Sequence, residues 1–149
     1  MAVIQTSKKQ FIILDDHLLE KVSKFRWYVN RLGYAVNDAK PRKYMHRFIM
    51  GFPKGNVDHR NGNKLDNRLS NLRICNQSQN TANASKRTTN RSGYKGVSWN
   101  KKYSKWEAYL TKDYKHIFLG YFDDRKKAAL AYNIKAIEVF GDFCKLNII

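Results

Sequence analysis

Apolar positions come in short stretches over the first third of the chain. Phe11, Ile12, Ile13 and Leu14 predict a strand, and Asp15 or Asp16 could cap a helix carrying Leu18, Leu19, Val22 and Phe25. Trp27 to Val29 and Tyr34 to Val36, across the turn-forming NRLG, predict a hairpin. This region is a small α/β scaffold. From residue 51 the character changes. Gly51, Pro53, Gly55 and Gly62 break regular structure, and eight asparagines follow between Asn56 and Asn83, which is poor core material and good turn and cap material. The run SKRTTNRSG, from residue 85, has no apolar side chain and predicts a linker over residues 85–92.

Periodicity returns at Tyr94. GYKGVSW, KWEAYLT and HIFLGYF predict three strands, then Asp123 or Asp124 caps a helix that Gly141 ends. Alternation divides the faces: Trp106, Ala108, Leu110, Ile117 and Leu119 pack on the helix, while Glu107, Tyr109, Thr111, His116 and Phe118 face outward. Small Ala128, Ala129 and Ala136 let the helix approach the sheet. The domains expected are therefore 1–84, with its own core, and 93–149, a three-stranded antiparallel sheet packed on one helix.

Charge names the partner. Lys and Arg number 29 against 12 Asp and Glu in 149 residues, a net charge of +17. The excess is spread evenly, with 15 basic and 6 acidic side chains in residues 1–85 and 14 and 6 in residues 86–149. Such a balance repels itself unless a polyanion neutralises it, so nucleic acid is expected along both halves. No apolar run approaches the roughly 20 residues that span a bilayer, which argues against a membrane partner. The opening MAVIQTSKKQ does not read as a secretory signal. Cys75 and Cys144 stand far apart without CxxC spacing, against a disulfide framework or a structural zinc site. A cytoplasmic protein is expected.

The asparagine-rich stretch holds VDHRNGNKLDNRLSNLRICNQSQN, with His59, eleven residues, Asn71, eight residues, Asn80. Its DHxxGNxxxNxxxNLR run resembles the HNH family, in the variant where an Asp-His pair opens the motif and the last His is Asn, as in phage homing endonucleases. The resemblance covers about residues 44–84. It implies an α+β, ββα-metal (His-Me finger) nuclease fold, in which a two-stranded hairpin and a helix grip one metal ion, and a phage-encoded type of protein acting in a bacterial host cell. The chemistry agrees. Asp58 and Asn80 offer hard oxygen donors suited to one Mg²⁺ or Mn²⁺. His59, with an unperturbed pKa of about 6.5, suits the general base on water. In a strand, His59 points away from the face of Asp58 unless the strand is irregular. Gly62 permits the turn after the pair. By resemblance Asn71 ties the loop together, and His46 matches a His that often precedes the motif; a packed structural His46 is the other reading. Asn83 lies nearly one turn beyond Asn80, and the spacing from Asp58 favours Asn80.

Residues 93–147, with landmarks Tyr94, Gly96, Val97, Lys105, Trp106, Leu119, Gly120, Phe122, Ala128, Ala129, Ala131, Tyr132, Gly141 and Asn147, resemble the Apetala or ethylene-response-factor type of DNA-binding domain. That family lays its sheet in the major groove of double-stranded DNA. The resemblance puts Lys95, Ser98, Asn100, Tyr109, Thr111, His116 and Phe118 toward the groove; by composition the linker, with Lys86, Arg87 and Arg91, can lie along phosphates. Most positions at which plant members carry arginine differ here, so looser specificity is expected, with Lys101, Lys102, Lys105 and Lys112 holding phosphate. The whole reads as a site-directed endonuclease of the homing type, leaving 5′ phosphate and 3′ hydroxyl. One site in a monomer nicks one strand; a dimer is the alternative state, and no protein partner is evident. The rival readings are a DNA-binding regulator with an inactive nuclease fold and an HNH restriction enzyme.

Overall fold

The computed structural model describes all residues, Met1–Ile149, as a mixed α+β chain that divides into two compact units, Met1–Cys75 and Asn76–Ile149. In the first unit, β1 (Ala2–Gln5) pairs antiparallel with β2 (Phe11–Leu14), Ala2 opposite Leu14. Sequence reading found β2 but passed over β1, whose four residues carry only two large aliphatic side chains. A 3₁₀ turn and α1 (Leu19–Ser23) follow. Neither aspartate caps them. Asp15 instead accepts the Leu69 N–H across the unit, and Asp16 pairs with the N-terminal amine. The expected hairpin is β3 (Trp27–Val29) with β4 (Ala35–Asn37), and a short α2 (Met45–Ile49), not anticipated, comes next.

Antiparallel β5 (Asn56–His59) and β6 (Leu72–Cys75) close the unit, with Asp58 opposite Arg73 and His59 opposite Leu72. Ile12, Leu14, Val22, Trp27, Met45, Val57 and Leu72 form one core, each large aliphatic member contributing about 1.5–3 kcal/mol by burial. The core fixes the scaffold under the β5–β6 loop. That loop is also tied directly to β2, because the Ile13 N–H donates to the Leu65 carbonyl (2.8 Å) and the Asn67 N–H donates to the Ile13 carbonyl (2.7 Å).

The second unit begins with α3 (Gln77–Asn83), started by a reciprocal capping box between Asn76 and Gln79. Sequence reading grouped residues 76–84 with the nuclease motif. By contacts they join the C-terminal unit, since Ala82 packs with Leu110, Tyr132, Ala136 and Phe140. Strands β7 (Val97–Asn100), β8 (Lys105–Lys112) and β9 (Lys115–Phe122) form an antiparallel sheet in that order, packed on α4 (Arg125–Phe140). Asp124 caps α4 by accepting the Lys126 and Lys127 N–H groups, while Asp123 pairs with Lys105. Ala108, Ala128, Ala129 and Ala136 are fully buried, the small residues that let sheet and helix close on each other. Leu119 is an extra residue in β9, so Tyr109 pairs with Phe118 while Ala108 pairs with Gly120. No helix is long and apolar enough to cross a membrane.

Candidate active site and nucleic-acid surface

Asp58 and His59 are consecutive in β5, opposite Arg73 and Leu72 of β6. Asp58 meets its cross-strand neighbour: Arg73 Nε and Nη2 both donate to Asp58 Oδ2, at 3.0 and 2.9 Å, and both side chains are buried. His59, only 4% exposed, faces the loop, where its Nε2 stands 3.4 Å from Asn67 Oδ1. An amide oxygen accepts, so the contact as oriented is made when Nε2 carries the ring proton. His46, carried by α2, stacks edge-on to His59 at 5.1 Å between ring centroids, and Tyr34 borders both rings.

Asn71 bonds to both sides of the β5–β6 loop. Its Oδ1 accepts the Asn61 N–H (3.0 Å), its Nδ2 donates to the Asp66 carbonyl (2.7 Å), and its own carbonyl accepts the Arg60 N–H (2.8 Å). Gly62, at φ 74°, donates its N–H to the His59 carbonyl and turns the chain. Asp66 accepts from Asn61 Nδ2 and from Arg68 Nε and Nη2, and the Arg68 contact holds its carboxyl below the usual range. The loop is thus bonded end to end before it presents His59.

Burial lowers the basicity of both histidines. His46 is taken down to about 3, with the neighbouring His59 and Arg47 acting in the same direction. His59 is lowered by burial too, against the opposing pull of Asn67, Asp58 and Asp66. Burial, then Asp58, raises the Tyr34 phenol. His46 Nδ1 and Asn67 Nδ2 are buried without a hydrogen-bond partner.

No three His, Cys, Asp or Glu side chains converge. A Mg²⁺-type ion is commonly held by one or two carboxylates and completed by water and substrate phosphate. Asp58 supplies the hard anionic oxygen in the first unit. Asn80, half-buried on α3, belongs to the second.

In the second unit Lys86, Arg87, Arg91, Lys95, Ser98, Lys101, Tyr109, Thr111 and His116 line one cleft of about 920 Å³, which gathers most of the residues expected at DNA. The linker is anchored: Ser92 Oγ donates to the Val97 carbonyl, Asn90 Nδ2 to the Tyr94 carbonyl and Lys86 Nζ to the Gly93 carbonyl. Tyr109, Thr111, His116 and Phe118 share the face away from α4. Thr111 Oγ1 lies 3.2 Å from His116 Nδ1, and Phe118 stacks on Tyr121 with half its surface exposed.

Three expected DNA residues carry other duties. Lys95 Nζ donates to the carbonyls of Thr81, Ala82 and Ala84, capping the end of α3, and burial lowers its pKa to about 8. Its three protons are used within the chain, so it is a strut and not a phosphate contact. Ser98 and Asn100 both donate to Glu107. Asn67, Arg73 and Tyr34, which contact Asp58 or His59, were not among the residues expected at the site. Arg73 was legible as the cross-strand partner of Asp58; Asn67 holds a fixed position in the DHxxGNxxxNxxxNLR run, with no role of its own read for it.

Residues 43–82 match the family model described as HNH endonuclease. The chain is 35% identical over 134 residues to an uncharacterised HNH endonuclease of Acanthamoeba polyphaga mimivirus, covering 85% of this chain and 68% of that protein. It is 33% identical over 121 residues to Protein 3.8 of Escherichia phage T7, covering 78% of this chain and 99% of that protein. No solved structure matches it.

Proposed function

The chain belongs to the HNH endonuclease family, and from that premise we propose a homing-type DNA endonuclease that cuts one strand through Asp58, His59 and Asn80. The observation that carries this reading is His59: a buried imidazole at the end of β5, its basicity lowered by burial and its Nε2 set against Asn67 Oδ1. A neutral imidazole can accept a proton from water as that water attacks phosphorus. By the resemblance to the family, Asp58 and Asn80 are assigned to the divalent ion, Mg²⁺ or Mn²⁺. When bound, the ion neutralises charge on the phosphoryl oxygens and on the leaving 3′ oxygen.

Arg73 fixes the Asp58 carboxylate from the side, and the Asn71 and Asp66 bonds hold the loop so that His59 keeps its direction. His46 backs the His59 ring. Its ring is buried and its basicity is low, which favours packing over proton transfer. The products are 5′ phosphate and 3′ hydroxyl, and a monomer with one such site nicks.

The C-terminal unit is assigned to Apetala-type recognition of duplex DNA, with Tyr109, Thr111, His116 and Phe118 toward the groove. Lys86, Arg87, Arg91, Lys101, Lys102 and Lys112 supply phosphate affinity. Lys105, held by Asp123, adds less.

Supercoiled plasmid incubated with Mg²⁺, Mn²⁺ or EDTA tests the proposal. Nicked circles should need metal, and His59→Ala should cut at least about 10²-fold more slowly while binding DNA normally. Asp58→Ala should lose metal-dependent cutting. Full cleavage by His59→Ala would remove it from the chemistry, and linear product would mean paired sites. DNA binding without cleavage over a broad site library would favour a regulator with an inactive nuclease fold.

A further inference from the structure

The face of the β7–β8–β9 sheet turned away from α4 carries one acidic side chain, Glu107, in a chain of net charge +17. It is opposite Ser98 on one neighbouring strand and Tyr121 on the other, so it sits on the middle strand of the face. Both its oxygens are held: Ser98 Oγ donates to Oε1 at 2.9 Å and Asn100 Nδ2 donates to Oε2 at 2.8 Å. The Asn100 Oδ1 is taken up by the N–H groups of Lys102 and Tyr103, which fixes the amide's orientation. Two neutral donors therefore aim a carboxylate without neutralising it, on a surface where every phosphate would be repelled by it. Affinity alone would not favour this arrangement.

We propose that Glu107 is a base-reading residue of the sheet, accepting a hydrogen bond from the exocyclic amino group of a cytosine in the major groove, with Ser98 and Asn100 as its positioning residues. This deepens the duplex-DNA assignment of the C-terminal unit and rests on it. A carboxylate has about four acceptor sites, and the two bonds from Ser98 and Asn100 leave others for a base. The major-groove edge of cytosine presents the N4 amino donor alone. Adenine sets an N7 acceptor beside its amino group, and guanine and thymine present acceptors that a carboxylate cannot satisfy. Glu107 thus selects both by its bond to cytosine and by repulsion of the other bases.

The test is selection of binding sites from a randomised duplex library by the full chain in EDTA, so that no cleavage occurs, followed by sequencing. Wild type should fix cytosine at one position by roughly tenfold over the other bases. E107Q should move that position toward adenine, whose N6 and N7 match an amide, and E107A should leave it without preference, while all other positions keep theirs. Ser98→Ala and Asn100→Ala should weaken the cytosine preference at the same position only. An identical profile in wild type, E107Q and E107A overturns the proposal, as does a wild type that binds without any cytosine preference. Preference retained elsewhere by E107A shows that the sheet is folded. A wild type that does not bind duplex DNA overturns the assignment of the unit itself, a distinct result.

Discussion

Acid should loosen the first unit through His46. Its ring is 7% exposed, stacked among Tyr34, Tyr44 and His59, and its pKa is lowered to about 3 from an ordinary 6.5. A base whose folded pKa lies below its unfolded value takes up its proton preferentially in the unfolded chain. Its contribution is intact above about pH 6.5 and is lost as the pH falls toward 3. With those two values the loss is about 2 kcal/mol between pH 7.5 and pH 5, approaching about 5 kcal/mol near pH 3. His59 is shifted in the same direction and adds to the effect. The assay is urea unfolding of wild type and His46→Phe at pH 7.5 and pH 5.0, with hydrogen–deuterium exchange assigning the transition to peptides from residues 1–75. The Phe ring keeps the aromatic contacts without a titrating group, so its own cost at pH 7.5 is not the readout. Stability should fall about 2 kcal/mol less in the variant than in wild type over that interval. Equal losses in the two proteins would refute the reasoning, because the acid sensitivity would then reside elsewhere.

Two further outcomes test the framework of each unit. Arg73→Leu leaves the Asp58 carboxylate buried without its cation and should cost about 3–5 kcal/mol, most of which Asp58→Asn in the same chain should restore; chemical denaturation of the single and double variants reads this, and an undiminished loss in the double variant would show that the cost is packing. Gly96 holds φ 71° with its Cβ position 2.1 Å from Tyr132 Cδ2 and 2.6 Å from the Tyr109 carbonyl oxygen. Gly96→Ala should therefore destabilise the second unit by about 2 kcal/mol or more, and an unchanged melting temperature would contradict the close approach.

The sequence by itself determined the chemistry on offer and much of the local structure. The period-2 alternation of KWEAYLT and HIFLGYF was enough to divide the sheet's faces, because a strand cannot send adjacent side chains the same way. Asp124, Gly141 and three small alanines were enough to bound and seat α4. The spacing of Asp58, His59, Asn71 and Asn80 pointed to the HNH family, since a motif whose residues lie close in the chain survives being read without its fold. Tertiary structure decided which polar groups are spent inside the chain. Ser98, Asn100 and Lys95 have the right chemistry for DNA, but Glu107 and the carbonyls at the end of α3 claim them. His46 was read both as a histidine that precedes the motif and as a packed one, and its low basicity comes from being buried beside another histidine brought there by a different element. Asn67 stands in the motif run, but only the closing of the loop on β2 sets its amide against His59. Hydrogen-bond partners and desolvation depend on which distant residues meet, and pattern along the chain carries no information on that once the separation exceeds a turn or a strand pair.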